Sequence, residues 1–261
     1  MTTSVERTDY GSVTEQWGLR MPRTQLEMLA TRYAFAAQFS EGKDVLEIAC
    51  GAGLGLEYLA ARARTLLAGD VTYGNLAASH AHFRGVPLVA FDAHHLPIRP
   101  EVVDVVTIFE ALYYFADIAA VLAECRRVIR PGGTLVLSLP NPDAIGFHES
   151  PHSTGYLSIP DLRSAVCAAA FTDVEIYGGF ATDEGGVRTA ILLRTLAAAR
   201  VLGVVPKDLR GRSRWKRLFY GSLQPFRGLT QSDVSAQPLA RLDPSVPTSK
   251  PRVLYLCASA G

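Results

Sequence analysis

Methionine and tryptophan are scarce in this chain, at three and two copies in 261 residues, and cysteine is little commoner at four. Cys50, Cys125, Cys167 and Cys257 lie far apart and form no C-x-x-C pair. That spacing speaks against a metal cluster or a small disulfide scaffold and fits reduced thiols inside a cell. An excess of charge is missing as well: 26 Lys and Arg stand against 25 Asp and Glu, a net charge of +1. Nothing in that balance draws a polyanion, so no nucleic-acid partner is expected. Residues 1–11 are polar, with Glu6 and Asp9, and lack the apolar core of a secretory signal. A cytoplasmic location is the expectation.

A long apolar run is absent too. The most apolar stretch, residues 189–205, is interrupted by Arg194 and Arg200 and follows Arg188. A central arginine costs about 2.5 to 3.5 kcal/mol on insertion scales, so no stable membrane insertion is expected. At about 100° per residue these arginines point in different directions and make no basic face for lying on a membrane. The plain reading is a mostly buried helix whose arginines reach out to solvent.

What is present is a globular composition, 48% hydrophobic and 20% charged, which excludes disorder. From residue 44 to 140, short β-branched runs alternate with helical patterns, as in a parallel sheet with crossover helices. Strands are expected over 44–48, 65–69, 87–91, 102–109 and 134–139, and two more over 171–178 and 252–259. The strands are almost continuously apolar, which implies a sheet covered on both faces.

Helix signals lie between them. Thr24 and Glu27 have capping-box spacing, followed at helical intervals by Leu26, Leu29, Ala30 and Tyr33. Asp117 can cap a helix whose Val121, Leu122, Cys125, Val128 and Ile129 form one stripe, and Pro131-Gly132-Gly133 stops it. Ser158, Pro160 and Asp161 open another, ending near Phe171. Residues 141–156 read as a loop, and 179–251 are too many for an unstructured connection, so they should carry helices of their own.

The sharpest local feature is Glu47-Ile48-Ala49-Cys50-Gly51-Ala52-Gly53-Leu54-Gly55, at the end of the first expected strand. Glycine there lets a ligand approach the backbone at the carboxyl edge of a parallel sheet. A dinucleotide fingerprint would read G-x-G-x-x-G, but position 56 is Leu. Glu47 places an acid beside the ligand, which repels a pyrophosphate and favours a cation. Asp70 ends the second strand, where a carboxylate can accept from both hydroxyls of a ribose, and Asp92-Ala93 follows the third, where it can accept from an exocyclic amine.

These residues, with Phe109-Glu110 and Arg130-Pro131-Gly132-Gly133, resemble the class I S-adenosylmethionine-dependent methyltransferases, in particular the small-molecule branch that includes the quinone-biosynthesis type. The resemblance covers residues 43–139 and rests on four motifs in register. It implies an α/β, Rossmann-like fold: a seven-stranded, mostly parallel sheet with an antiparallel last strand and helices on both faces. It also implies that Glu47, Ala49, Gly51 and Gly53 line the methionine part of S-adenosyl-L-methionine. Asp70 would bind the ribose, Val71 would pack on the adenine, Asp92 and Ala93 would hold its amino group, and Phe109 and Glu110 would border the sulfonium. The family usually has Gly where this chain has Ala49.

Methyl transfer is a displacement at an activated sulfonium, so the protein mainly aligns donor and acceptor. A hydroxyl acceptor also needs a base. Many relatives carry a His after the fourth strand, but this chain reads Ala111-Leu112-Tyr113-Tyr114. The remaining candidates are His148, Glu149 and His152 in the loop over the cofactor mouth, with Tyr10 or Tyr113 as positioners; the alternative for each histidine is a plain surface residue. His94 and His95 are expected near the adenine, and His80 and His82 on a solvent-facing helix. Lys207, Arg210, Arg212, Arg214, Lys216 and Arg217 form a basic cluster: a clamp for an anionic acceptor, or a solvated helix face.

The expectation is one methyltransferase domain over 1–261: an N-terminal helical cover (1–40), of which Tyr10 to Gln38 could fold over bound cofactor as a lid, a cofactor-binding core (41–140), and a substrate-side part (141–261). Its acceptor would be a small molecule, such as the hydroxyl of a sugar, natural product or other metabolite, with no metal involved. A nicotinamide-dependent reductase would want Tyr-x-x-x-Lys, and no Tyr has a Lys four residues on. A cofactor-binding protein without catalysis, acting as a partner or assembly factor, is the remaining rival.

Overall fold

The computed structural model describes residues 10–181, 224–226, 228–229 and 235–261. The apolar stretch 189–205 and the basic cluster at 207–217 lie outside the described residues. In chain order the elements are β1 (Arg20–Met21), α1 (Arg23–Ser40), β2 (Asp44–Ile48), α2 (Leu56–Ala60), β3 (Thr65–Asp70), α3 (Tyr73–His82) and β4 (Leu88–Ala90). Then come β5 (Val103–Phe109), α4 (Ile118–Val128), β6 (Ile129–Pro140), α5 (Ile159–Ala168), β7 (Phe171–Ala181), β8 (Gln224–Pro225), β9 (Ala240–Leu242) and β10 (Pro251–Ala260).

Among the described residues the main sheet has eight strands in the order β4-β3-β2-β5-β6-β10-β7-β9. The first five of these run parallel. β10 inserts between β6 and β7, antiparallel to both, which is the antiparallel last strand that the sequence led us to expect. The eighth strand is β9, three residues on the edge of β7. It is too short to show an alternating pattern, and so seven strands are legible and this one is not.

Strand alternation explains the two-sided core. Leu46, Ile48, Val106, Ile108, Leu135 and Leu137 face one cluster with α4 and α5. Val45, Val105, Val136 and Tyr255 face the other, with α1 and α2. Adjacent residues on one strand point to opposite faces, so each strand needs apolar side chains at nearly every position. Val121, Leu122, Cys125 and Val128 of α4 are all fully buried, each worth about 1.5 to 3 kcal/mol where the side chain is large.

Helix ends follow local chemistry. Asp117 caps α4 by accepting from the Ala120 amide at 3.0 Å, and Ser158 caps α5 through the Asp161 amide. The capping box expected at Thr24 and Glu27 is not formed. Pro22 is the N-cap instead, its carbonyl accepting from Gln25 and Leu26, and Glu27 pairs with Arg23 at 2.8 Å. The fixed φ of proline suits a helix start two residues earlier than the threonine would give. α5 stops at Ala168, and Phe171, expected near its end, opens β7.

Arg130 of the Arg-Pro-Gly-Gly motif lies at the amino ends of the strands. Its guanidinium joins Asp44 at 3.1 Å and Asp104 at 2.7 Å, tying β2 to β5. A side chain on Gly133 would run into the Asp104 carbonyl at 2.5 Å. Among the described residues no helix is long and apolar enough to cross a membrane.

The chain leaves β2 toward β3 and β4 on one side, and returns to place β5 and β6 on the other. Strand order therefore reverses between β2 and β5, which opens a crevice at the carboxyl ends of those strands. Asp117→Ala should remove the α4 cap and cost about 1 kcal/mol, read as a lower urea midpoint at unchanged slope.

Candidate functional site

A cavity of about 950 Å³ occupies that crevice. Its floor is the turn after β2. Ala49, Gly51 and Gly53 have φ of 56°, 56° and 72°, a left-handed sequence that lifts the backbone toward the cavity. Asp70, at the end of β3, holds the turn: its Oδ2 accepts from the Gly51 amide at 2.9 Å and its Oδ1 from the Thr72 amide at 2.7 Å. Burial raises the Asp70 pKa, opposed by those amides.

Ala49 and Gly51 line the cavity, but Gly53 does not. A Cβ on Gly53 would lie 2.1 Å from Ser79 Oγ, so this glycine serves close packing on α3. Val71, Asp92, Ala93, Phe109 and Glu110 all line the cavity.

Glu47 is 2% exposed. Its Oε1 accepts from the Tyr33 hydroxyl at 2.7 Å, while its Oε2 is buried without a partner. Burial pushes its pKa from the ordinary 4.5 to about 7, against the pull of Tyr33 and Arg32. Asp92 Oδ1 accepts from the amide of His94 at 3.0 Å and lies 2.6 Å from its ring Nδ1. Burial opposes its ionisation, but His94 outweighs it and holds the carboxyl below its ordinary value.

The far wall is aromatic. Residues Leu112–Tyr114 form a short 3-10 turn, with the Tyr113 and Tyr114 rings 4.5 Å apart and Tyr10 5.2 Å from Tyr114. Burial, with Glu110 nearby, raises the Tyr113 pKa far above its usual range, so this phenol stays neutral. The loop after β6 is fastened here: Thr154 donates to the carbonyls of Tyr113 and Phe115. His152 on that loop lines the cavity, edge-on to Tyr10, with φ of 67°. His148 and Glu149 are exposed and are not among the lining residues. Of the other histidines, His94 lines the cavity, while His95, His80 and His82 are exposed and do not.

Several lining or supporting groups carry no signal in the sequence. Tyr33 sits in the apolar stripe of α1 and reads as core. Arg32 and Glu15 belong to no motif, and Arg252 at the start of β10 reaches the cavity only because that strand runs antiparallel. Trp17 donates from Nε1 to the Ala52 carbonyl at 2.6 Å and stacks on His82 at 4.4 Å. With Thr14 within 2.8 Å of where a Gly51 Cβ would stand, residues 14–17 lie against the turn after β2. Among the described residues no group of three or more His, Cys, Asp or Glu could hold a metal ion.

Comparison with known proteins adds to this geometry. A family model described as a methyltransferase domain matches residues 46–137. A probable S-adenosylmethionine-dependent methyltransferase of Mycobacterium tuberculosis is 30% identical over 216 residues, 76% of this chain and 75% of that protein. The chain belongs to the S-adenosylmethionine-dependent methyltransferases. A second protein of that name, from Mycolicibacterium smegmatis, is 34% identical over 136 residues, and the match spans 50% of its length. A demethylmenaquinone methyltransferase of Mycolicibacterium vanbaalenii is 43% identical over 108 residues, 41% of this chain and 46% of that protein. Among solved structures, a methyltransferase from Archaeoglobus fulgidus superposes with a TM-score of 0.58 at 16% identity, covering 89% of this chain and 93% of that one. That likeness supports the Rossmann-like fold.

The cofactor of this family is S-adenosylmethionine, a sulfonium that carries an ammonium group. The residues present fit it: the orphaned Oε2 of buried Glu47 is an acceptor awaiting a cationic donor.

A left-handed alanine costs about 1 to 2 kcal/mol, offset in part by the looser unfolded chain of glycine. Ala49→Gly should therefore stabilise the protein by about 1 kcal/mol, measured by urea unfolding. Native Glu47 holds its proton more tightly than the unfolded chain, so its contribution is intact below pH 4.5 and is lost as pH rises toward 7. The loss is of the order of 3 kcal/mol. Glu47→Gln should flatten that slope, and S-adenosylmethionine should bind the native protein more tightly as pH rises through the same window.

Proposed function

We propose that the chain transfers a methyl group from S-adenosylmethionine to a hydroxyl of a small molecule, such as a sugar, natural product or other metabolite. The observation that carries this reading is the extent of the cavity. Its volume of about 950 Å³ is at the upper end of ligand pockets, which run to about 1,000 Å³. It continues from the carboxyl ends of β2, β3 and β4 to the wall of Tyr10, Tyr113, Tyr114 and Phe115, leaving room for a second molecule beside the cofactor.

In this reading Glu47 faces the charged methionine end, and Ala49 and Gly51 lie along it, with Gly53 shaping the turn. A carboxylate offers about four lone-pair sites. Asp70 uses two of these on backbone amides and a third on a long 3.5 Å contact from Asn75 Nδ2, and the remaining capacity accepts from the ribose hydroxyls. Val71 packs on the adenine, and Asp92 with Ala93 meets its amino group. The bound cofactor supplies an activated methyl on sulfur. Phe109 and Glu110 border it, and the neutral Tyr113 orients the acceptor. His152, exposed at the cavity rim, passes the released proton to solvent. His148 and Glu149 lie outside the lining and have no part in this reading.

Calorimetry against S-adenosylmethionine, S-adenosylhomocysteine and NADPH tests the site. We expect micromolar binding of the first two and none of the third. Asp70→Ala should weaken both by about 10- to 100-fold, the loss of charged hydrogen bonds worth about 1.5 to 3 kcal/mol. Binding of NADPH alone would overturn the reading. Formation of S-adenosylhomocysteine in a screen of hydroxylated metabolites would remove the rival of a non-catalytic partner protein.

A further inference from the structure

Arg32 has an unusual position among the cavity-lining groups. Its side chain is 13% exposed, and its nearest carboxylate oxygens are Glu110 Oε1 at 3.7 Å and Glu15 Oε2 at 4.0 Å. Both are beyond hydrogen-bond reach, and its buried Nε has no partner. A guanidinium carries five donors, and leaving the buried Nε–H unmatched is costly. The arrangement makes sense where a ligand oxygen completes it.

Glu110 is equally under-used. It follows β5 with φ of 50°, a strained backbone of the kind found at functional sites. Its Oε1 accepts only a long bond of 3.3 Å from Ser138 Oγ. Burial raises its pKa, with Arg32 opposing, so it is a better proton acceptor than a surface carboxylate.

Strand order says which half of the cavity this is. Glu110 follows β5, Ser138 is on β6 and Tyr255, whose buried hydroxyl also lacks a partner, is on β10. All three lie on the side of β2 away from β3 and β4, where Asp70 and Asp92 await the nucleoside.

We propose that Arg32 and Glu110 are the pair that activates the acceptor hydroxyl, taking the place of the histidine missing after β5. This rests on the hydroxyl-transfer reading above. The acceptor O–H bond breaks as its proton passes to a Glu110 oxygen, and Arg32 donates to the oxygen as it becomes negative. That oxygen forms its bond to the methyl carbon while the carbon–sulfur bond breaks, its electron pair neutralising the sulfonium. The charge balance also selects the acceptor: one guanidinium between two carboxylates, Glu15 and Glu110, repels a preformed anion and admits a neutral hydroxyl. Among the described residues, Tyr33, Glu47, Tyr113, Tyr114 and Tyr255 are the other titratable groups around the pair.

The test uses 4-nitrophenol, whose absorbance separates phenol from phenolate, bound to the protein saturated with S-adenosylhomocysteine. Arg32→Gln should raise the pKa of the bound probe by one unit or more, a tenfold loss of phenolate. Arg32→Lys should restore part of the shift, and Glu110→Gln should move it the opposite way. Affinity for S-adenosylhomocysteine should stay within about twofold in Arg32→Gln and Arg32→Lys. With any hydroxyl acceptor that turns over, Glu110→Gln should lower kcat about 100-fold with little change in KM.

An unmoved probe pKa, no probe binding at millimolar concentration, or kcat within threefold of the parent would overturn the proposal. So would a tenfold loss of S-adenosylhomocysteine affinity in Arg32→Gln that is absent for methylthioadenosine, since Arg32 would then hold the cofactor carboxylate. Failure of the parent protein to bind S-adenosylhomocysteine would instead count against the cofactor reading.

Discussion

The carboxylate of Asp70 under the turn after β2 is the contact on which the site depends. That turn carries three left-handed residues in five positions, and a backbone so bent stands only where something outside it fixes the path. Asp70 does so from the neighbouring strand, by accepting from the Gly51 amide. Parallel pairing of β2 with β3, Ile48 opposite Gly69, sets the two strand ends level. A slip of one residue would put Asp70 on the wrong face and leave the turn unsupported.

Around that turn the sheet edge gathers acidic side chains, and their environments set them apart. Glu47 is buried with one oxygen spare, Asp92 is partly open and held ionised by His94, and Glu110 is ion-paired with a guanidinium at 3.7 Å, beyond hydrogen-bond reach. In the reading proposed above, identical carboxyl chemistry serves as a cation partner, a hydrogen-bond acceptor and a base, according to burial and neighbours. A cavity lined this way favours a positively charged ligand at its centre. It disfavours a pyrophosphate, in keeping with the missing third glycine of a dinucleotide fingerprint.

Much of this is legible in the amino-acid sequence alone. The apolar strands, the Asp117 and Ser158 caps, and the acids at strand ends are local patterns, and each stands at or near where its pattern puts it, except that α4 ends at Val128 and β6 opens at Ile129, so Ile129 and Pro131-Gly132-Gly133 belong to the strand and not to the helix and its stop. The misses have physical causes. Thr24 and Glu27 have the spacing of a capping box, but Pro22 fixes the start of α1 first. β9 is too short to show a period. Arg32, Glu15 and Arg252 come from a helix, an N-terminal segment and an antiparallel strand, and only the fold brings them to one cavity. His148 and His152 look alike in sequence, and the fastening of Thr154 to the 3-10 turn after β5 is what brings one to the cavity and not the other.

Arg130, clamped between Asp44 and Asp104 at the foot of the strands, bears on how such proteins are recognised. The Arg-Pro-Gly-Gly signature helps to place this chain among its relatives, yet it stands at the opposite end of the sheet from the chemistry. It is an architectural joint. A catalogue assembled on that joint gathers chains that fold alike whatever they methylate, so divergence in substrate preference can run its course without leaving a trace there.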